Sequence, residues 1–353
     1  MTEWYLDSCA IIDNNMLAQA RSRQLQLTKP PGSLGRIEQI AVDLAAQQGR
    51  LDARVDKVEI AVFAGDHGVA NDGVSAFPQA VTGEMVKNFV RGGAAISVLA
   101  RQIGAGLTVV NAGTINQQPF GAPVVDHPVA YGTGNIKLEA AMSSEQCIEA
   151  LALGRLIAEG FSDDTELVIG GEMGIANTTS ATALGAAFGI ASAADLVGPG
   201  TGLDRQGQGH KLSVIEQSLA RLSATGITPE NNNNTLAIMT ELGGFEIVAL
   251  CGYYLRAAQL GYTILVDGFI STTAAVAACR INPGCRDWML FSHNSAEPGH
   301  KLLLDSLAAK PLLNLEMRLG EGSGAAIAVS LLRSACHLQN EMATFAEAGV
   351  SDG

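Results

Sequence analysis

Five short apolar runs alternate with helical segments through the middle of the chain, and this alternation constrains the fold more than any other feature. Alanine- and glycine-rich segments with helical spacing separate the runs, as at residues 85–104 and 272–281. Buried strands that alternate with helices are typical of a parallel sheet. We therefore expect an α/β fold with a doubly wound, mainly parallel sheet and helices on both faces. The predicted strands cover residues 58–65, 107–114, 166–174, 262–269 and 287–294.

The two ends of the chain show helical spacing instead. Residues 10–27 and 36–49 are predicted helices, and a Pro-Pro pair separates them because proline cannot continue a helix. A long final helix is predicted at about residues 323–347. We expect a small helical domain formed by residues 1–50 and 325–353, and a large α/β substrate-binding domain formed by residues 51–324.

Charge and composition exclude several classes of partner. The net charge is −13 and no basic cluster is present, so neither nucleic acid nor an anionic membrane surface is an expected partner. The N-terminus lacks the basic and apolar regions of a signal peptide, and no apolar run is long enough to span a bilayer. Six scattered cysteines without a CxxC pair are typical of reduced thiols. We therefore expect a cytoplasmic protein.

Each predicted strand is followed directly by a polar or glycine-rich cluster. In an open parallel sheet the carboxyl ends of the strands share one edge, and ligands bind there. We therefore expect these clusters to converge on a ligand site. They are Asp66-His67-Gly68, Asn111-Ala112-Gly113, Gly171-Glu172-Met173-Gly174, Asp267-Gly268 and Ser292-His293-Asn294-Ser295.

The segment at residues 170–184 is the best candidate for holding a phosphate. It follows a strand, carries three glycines and opens a helix, whose free N–H groups would attract an anion. It matches neither the Walker A nor the GxGxxG pattern, and an ordinary strand–helix turn remains the alternative. Glu172 is unexpected beside a phosphate and suits sugar hydroxyls or a developing positive charge better. Lys211 could supply a point charge unless it is a solvated surface lysine, and Ser295 could donate to the phosphate.

Apolar residues and one isolated carboxylate complete the candidate site. Phe77 and Met85 could line a pocket for a flat ring, or could equally belong to the core. Glu321 lies between two glycines in "RLGEGSGAA" (residues 318–326), where helix capping is the alternative to a chemical role. The sequence shows neither a cluster with metal-ligand spacing nor a nucleophile motif, so we expect no metal and no cofactor.

These residue types suit the transfer of a phosphorylated sugar between two ring nitrogens. The transition state of such a transfer is oxocarbenium-like and needs little covalent help. A pyridinium leaving group departs neutral, whereas an incoming imidazole-type nitrogen must lose a proton to a general base. A kinase would need a Mg²⁺ carboxylate pair and a P-loop, which the sequence lacks. A catalytically inactive, nucleotide-binding regulatory protein remains the alternative.

Eight motifs occur in order from about residue 29 to the last helix: "KPPGSLGRIE", "FAGDHGV", "GVSAFPQAVTGEMVKNF", "GEMGIANTT", "ELGGFEIVAL", "VDGFISTTAA", "FSHNSAEPGH" and "RLGEGSGAA". They resemble the motifs of the nicotinate-nucleotide–dimethylbenzimidazole phosphoribosyltransferase family. The resemblance implies an enzyme that forms α-ribazole 5′-phosphate, the lower-ligand nucleotide of cobalamin, from nicotinate mononucleotide and 5,6-dimethylbenzimidazole. It also implies a large α/β domain with a small helical domain, a homodimer, small-molecule substrates and no metal.

The resemblance assigns roles to individual positions of this chain. The family's general base falls on Glu321, and Glu316 is a weaker competitor in the same segment. Phe77 and Met85 stand where some family members carry Ser and Gln, so the preferred base stays open. Ala176 stands where glycine is common. The phosphate and ribose contacts fall on Glu172, Gly174, Lys211 and Ser295, and the base pocket falls on Phe77, Met85, Met173 and Leu319.

Overall fold

Parallel strands form one sheet at the centre of the molecule. The computed structural model describes residues 3–228 and 234–351. In these ranges the strands are β1 (Val58–Gly65), β2 (Gly106–Gly113), β3 (Val125–Asp126), β4 (Leu167–Met173), β5 (Thr263–Val266) and β6 (Met289–Phe291). Their order across the sheet is β3-β2-β1-β4-β5-β6, and every neighbouring pair is parallel. The doubly wound parallel sheet expected from the sequence is therefore confirmed.

Three strands, β3, β5 and β6, differ from the prediction. β3 was not predicted, because two residues are too few to show an alternating pattern. The last two predicted strands are too long, since β5 ends at Val266 and β6 ends at Phe291. The residues that follow them leave the sheet for the turns described below.

Helices precede, separate and follow the strands. Within the described ranges none of them is both long and apolar enough to cross a membrane. They are α1 (Asn14–Gln26), α2 (Arg36–Gln48), α3 (Ala80–Arg91), α4 (Ala95–Ile103), α5 (Ser144–Glu159), α6 (Asn177–Ala187), α7 (Ala193–Leu196), α8 (Arg205–Ala224), α9 (Thr235–Leu242), α10 (Phe245–Leu260), α11 (Phe269–Ile281), α12 (His300–Ser306), α13 (Ser323–Glu341) and α14 (Phe345–Ala348).

These helices cover both faces of the sheet, as expected. Successive side chains of a strand point to opposite faces. Ile60 and Val62 of β1 belong to one apolar cluster together with α1 to α4 and α13. Ala61 and Phe63 of the same strand belong to a second cluster with α5 to α12. The sheet is therefore buried on both sides, which is why its strands are almost continuously apolar.

Two predicted helices are shorter in the structure. The segment at residues 85–104 contributes to both α3 and α4, because Gly92 ends α3 in the left-handed conformation, with φ of 84°. The final helix ends at Glu341, because Thr344 and Glu347 form the capping box of a new short helix, α14. Both differences are local stop signals within otherwise helical sequence.

The two ends of the chain pack together on one face of the sheet. α1, α2 and α13 contact one another, and Arg23 Nε on α1 donates to the Gln339 carbonyl on α13 at 2.7 Å. The apolar cluster of these helices continues into the sheet without a break. We propose that residues 1–50 and 325–353 form a helical unit anchored on the unit of residues 51–324; the positions of these boundaries stay predictions.

The strand order creates a crevice between β1 and β4. The chain proceeds outward from β1 to β2 and β3 on one side, and from β4 to β5 and β6 on the other. Connections leave the two central strands in opposite directions, and open α/β sheets bind ligands at this point. The segments after Gly65 and Met173 therefore lie where a site is expected.

Candidate active site

A cavity of about 400 Å³ opens at the carboxyl edge of the sheet. Segments that follow β4, β5 and β6 line it, together with α3 and the loop at residues 318–321. Its volume is typical of small-molecule sites. The cavity contains every candidate site residue except Lys211, which lies behind its wall. The candidates in the lining are Phe77, Met85, Glu172, Met173, Gly174, Ser295, Leu319 and Glu321.

The polar clusters after β1 and β2 do not reach this cavity. His67 is buried and pairs with Glu246 at 2.6 Å. Asn111 is also buried, and its Nδ2 donates to Asp126 Oδ1 of the adjacent β3 at 2.7 Å. The expectation that all five clusters form the ligand site is therefore wrong for these two, because His67 and Asn111 bond to Glu246 and Asp126 inside the protein and do not line the cavity.

The loop that carries Glu321 has an unusual backbone. Gly320, Glu321 and Gly322 all adopt positive φ angles, of 86°, 65° and 85°. Glycine tolerates this conformation, whereas a residue with a side chain is strained there. The loop also lies directly against β4, since a Cβ atom on Gly171 would come within 2.8 Å of the Gly322 nitrogen. Glycines on both sides of Glu321 are therefore required by the geometry that presents its carboxylate.

Asp267, just after β5, fixes the same loop from the other side. Its carboxylate accepts hydrogen bonds from the N–H groups of Gly322, at 3.1 Å, and of Ala325, at 2.9 Å. These groups belong to the start of α13, so Asp267 caps that helix. The interpretation of Glu321 as the cap of α13 is therefore wrong, because another carboxylate performs this task.

Glu321 is a residue of the cavity lining and is 4% exposed. Its Oε2 accepts a hydrogen bond from the Ile96 N–H, at the start of α4, at 3.4 Å. Burial raises the pKa of Glu321, an effect that the Ile96 N–H opposes and the negative charge of Asp267 increases. A raised pKa makes the carboxylate a better proton acceptor near neutral pH.

Glu172 lies in the same lining, and it differs from Glu321 in how strongly its pKa is raised. Burial raises the pKa of Glu172 to about 8, and the charges of Glu246 and Asp267 contribute. Asn177 Nδ2 donates to Glu172 Oε2. At neutral pH the side chain is therefore mostly a neutral carboxylic acid, which can donate a hydrogen bond. A neutral Glu172 also avoids the repulsion that a carboxylate would create beside a phosphate.

Two helices begin at the cavity without a side-chain cap. α6 starts after Ala176, whose φ is 74°, and α11 starts after Gly268. Gly174 and Thr178 at the first helix, and Gly268 to Ile270 at the second, line the cavity. Free N–H groups at a helix N-terminus carry partial positive charge and attract anions. The site is therefore electrostatically suited to an anionic ligand although the whole chain is acidic.

Lys211 is buried behind the cavity, so the alternative of a solvated surface lysine is wrong. Its Nζ donates to Thr178 Oγ1 at 2.7 Å and to the Gly198 carbonyl at 3.3 Å. A Cβ atom on Gly200 would lie 3.1 Å from Nζ, so the ammonium group is directly behind a lining residue. Burial lowers the pKa of Lys211 to about 8. Thr178, which accepts the hydrogen bond from Nζ, lines the cavity and so lies between the ammonium group and a ligand.

Ser295 is held in the lining by a chain of hydrogen bonds. Its N–H donates to His300 Nδ1 at 2.8 Å, and its Oγ accepts from the Glu297 N–H at 3.2 Å. Burial lowers the pKa of His300 to about 3, so the ring is neutral and its Nε2 donates to Thr272 Oγ1 at 2.9 Å. No acceptor for the Ser295 hydroxyl proton lies in the described part of the chain, so this proton is available to a ligand.

Apolar side chains line another part of the cavity. Phe77 and Leu319 are 53% and 58% exposed, so Phe77 is not a core residue. Met85 and Met173 are half-buried and pack against the apolar cluster below. Apolar groups that remain accessible in a cavity are suited to a flat, weakly polar ring.

The sequence analysis missed two charged residues of the lining. Arg318 Nη1 donates to the Gly200 carbonyl at 3.0 Å, and Glu297 Oε1 accepts from the Gly200 N–H at 3.0 Å. The two side chains therefore hold the backbone of Gly200, one through its carbonyl and the other through its N–H group. Arg318 opens the same motif as Glu321, so its place in "RLGEG" was an available signal. The sequence around Glu297 contained no signal of this role, because the role depends on Gly200, almost a hundred residues earlier in the chain.

Known proteins resemble this chain over almost its whole length. A phosphoribosyltransferase family profile matches residues 9–350. The nicotinate-nucleotide–dimethylbenzimidazole phosphoribosyltransferase of Xanthomonas oryzae pv. oryzae (strain PXO99A) is 55% identical over 99% of this chain and 99% of its own length. The protein of the same name from Pseudomonas aeruginosa (strain LESB58) is 54% identical over 99% of this chain and 98% of its own length.

A solved structure extends the likeness to three dimensions. The crystal structure of the nicotinate-nucleotide–dimethylbenzimidazole phosphoribosyltransferase from Thermus thermophilus matches with a TM-score of 0.90 at 40% identity. The match covers 97% of this chain and 100% of that one. The same fold is therefore shared over almost the full length of both chains.

Proposed function

The chain belongs to the nicotinate-nucleotide–dimethylbenzimidazole phosphoribosyltransferase family, and from this premise we propose that Glu321 is the general base of its reaction. In this reaction the 5-phosphoribosyl group moves from nicotinate mononucleotide to 5,6-dimethylbenzimidazole or a related base. The products are α-ribazole 5′-phosphate and nicotinate. The observation that carries the proposal is a buried carboxylate, Glu321, in a cavity that has both apolar lining and two uncapped helix N-termini.

The chemistry requires one proton acceptor. As the bond from C1′ to the nicotinate nitrogen breaks, the pyridinium ring takes the bonding electrons and leaves neutral, while positive charge develops on the ribose. One benzimidazole nitrogen attacks C1′ from the opposite face, which yields the α configuration of the product. The other nitrogen loses its proton to the Glu321 carboxylate, so charge is balanced without a further acid.

Glu316 is poorly placed for this role. It is exposed and lies outside the cavity lining, whereas Glu321 is buried within it. An exposed carboxylate outside the lining has no fixed position relative to a ligand in the cavity. The contrast between the two residues supports Glu321.

The anionic end of the nucleotide is proposed to bind at the two uncapped helices. Gly174 and Ser295 offer an N–H group and a hydroxyl group in the lining, and Lys211 supplies positive charge from behind Thr178. A protonated Glu172 would donate to a ribose hydroxyl or a phosphate oxygen. The aromatic base is proposed to lie against Phe77 and its apolar neighbours, Met85, Met173 and Leu319.

The test of this function is incubation of the protein with nicotinate mononucleotide and a panel of benzimidazoles, purines and phenols. We expect release of nicotinate together with a new phosphoribosyl product, detected by mass spectrometry, for at least the apolar benzimidazoles. If the protein binds the nucleotide but turns over none of the bases in the panel, it would instead be a catalytically inactive regulatory protein. The comparisons with known proteins give no support to this alternative. The homodimer and the cytoplasmic location stay predictions.

The Glu172→Gln variant is expected to gain activity relative to the parent as the pH rises. Glutamine resembles the protonated acid at every pH, whereas the parent loses the Glu172 proton around pH 8. The ratio of kcat/KM for the variant to kcat/KM for the parent should therefore be close to one at pH 6.5 and rise about tenfold by pH 9. Because the ratio is taken at each pH, the effects on kcat/KM of other groups that titrate in both proteins cancel. A ratio that is independent of pH would show that Glu172 acts as a carboxylate.

A further inference from the structure

Two thiols that the proposed reaction does not use face each other far from the cavity. Cys9 Sγ and Cys285 Sγ are 3.6 Å apart, although 276 residues separate them in the chain. Cys9 is partly exposed and Cys285 is buried. A disulfide needs a separation of about 2.05 Å, so the two sulfur atoms have to approach by roughly 1.5 Å.

The backbone on both sides of this contact is held in place. The Ala10 N–H donates to the Ala258 carbonyl at 3.0 Å, and Trp288 Nε1 donates to the Ala10 carbonyl at 3.0 Å. Asn282 Nδ2 donates to the Asp7 carbonyl at 2.8 Å. The segment around Cys9 is therefore fixed to the turn that contains Cys285, and the thiols meet as a consequence of these anchors.

The neighbouring residues leave room for the contact. A Cβ atom on Gly284 would lie 3.3 Å from Cys9 Sγ, so this glycine lets the N-terminal segment approach closely. The thiol of Cys279 instead contacts Met289 Sδ at 3.8 Å. Cys9 therefore has one thiol partner at hydrogen-bond distance in the described chain.

We propose that Cys9 and Cys285 are a redox modification site, at which a reversible disulfide joins the N-terminal segment to the turn before β6. The co-reactant is a peroxide. The Cys9 thiolate attacks the peroxide, the O–O bond breaks, and Cys9 becomes a sulfenic acid with release of one water. Cys285 then attacks the Cys9 sulfur, forms the S–S bond and releases a second water. Two thiols thus lose two electrons and two protons, and a thiol reductant reverses the reaction.

Reactivity and position agree with this assignment. The hydrogen bond between Cys9 and Cys285 lowers the pKa of the Cys9 thiol, which favours Cys9 as the attacking thiolate. Cys285 lies before β6, at the amino edge of the sheet, whereas the cavity is at the carboxyl edge. The disulfide should therefore change stability through a covalent link between distant parts of the chain.

The experiment oxidises the full chain with hydrogen peroxide, blocks remaining thiols by alkylation, and maps the peptides without reduction. We expect a Cys9–Cys285 linked peptide in the parent and in the Cys279→Ser control, and none in Cys9→Ser. The oxidised parent should melt roughly 3–8 °C above the reduced parent, and dithiothreitol should abolish the difference. Cys9→Ser should show no such shift, and its melting temperature under reducing conditions checks directly that the variant folds like the parent.

Three results would overturn the proposal. The first is the absence of the linked peptide at a peroxide concentration that already converts Cys9 to a sulfenic acid, as detected with dimedone. The second is a link from Cys9 to Cys279. The third is a linked form that melts at the temperature of the reduced parent.

Discussion

Replacing Glu321 by glutamine is expected to lower kcat by roughly 10²–10⁴-fold, the usual contribution of a general base. Glutamine keeps the length of the side chain and can still accept the Ile96 N–H hydrogen bond, but it cannot take up a proton. Gly320 and Gly322 remain, so the loop keeps its conformation. The loss should therefore appear in kcat and leave KM for both substrates nearly unchanged. The measurement is steady-state release of nicotinate with saturating 5,6-dimethylbenzimidazole.

The pH dependence of the parent reports on the same carboxylate. Only the ionised form of Glu321 accepts a proton, so kcat/KM should rise with pH as this group ionises. Burial raises the pKa of Glu321, so the rise should lie above the ordinary range of a glutamate. The glutamine variant should lack this acidic limb in its residual activity.

Glu316→Gln is the matched control for this experiment. Glu316 lies in the same segment, also has a positive φ, of 57°, and is exposed outside the cavity. Its variant should stay within about twofold of the parent, as expected of a surface change. Loss of activity in Glu316→Gln, combined with a nearly normal Glu321→Gln variant, would mean that the assignment of the base is wrong.

Replacing Lys211 by methionine is expected to weaken binding of nicotinate mononucleotide by about 10–150-fold. Methionine removes the charge behind Thr178, which lines the cavity, and a charge-assisted interaction is worth roughly 1.5–3 kcal/mol, which corresponds to this range. Methionine keeps the volume of the unbranched side chain, so the buried position remains filled. The measurement is calorimetric titration with nicotinate mononucleotide and, in parallel, with nicotinate riboside, which lacks the phosphate. Only the affinity for the nucleotide should fall.

A surface lysine and a pH series complete this test. Lys301 is 72% exposed and pairs with Asp305, so Lys301→Met should bind the nucleotide like the parent. Burial lowers the pKa of Lys211 to about 8, so the parent itself loses this charge at higher pH. The difference in affinity between the parent and Lys211→Met should therefore narrow above pH 8. An equal loss for nucleotide and riboside would show that Lys211 only supports Thr178 and does not act on the phosphate.

The sequence by itself determined the class of the fold and most of the cavity lining. Alternation of apolar runs with helices is a local pattern, and it predicts a parallel sheet without knowledge of any contact. The loop of Glu321 was also identifiable, because left-handed backbone on both sides of a carboxylate demands glycine, and Gly320 and Gly322 are visible in the sequence. Strand ends in a parallel sheet share one edge, and residues of three of the polar clusters do line one cavity.

Only the tertiary structure decided how these residues behave chemically. The pKa of Glu172 is raised because burial and the charges of Glu246 and Asp267, from α10 and from the end of β5, act on it together. Lys211 proved to be behind the cavity wall, and Asp267 proved to be the cap of α13. Each of these properties depends on solvent exclusion and on distances between segments that lie far apart in the chain. Both quantities are set by packing in three dimensions, so no local pattern of the sequence contains them.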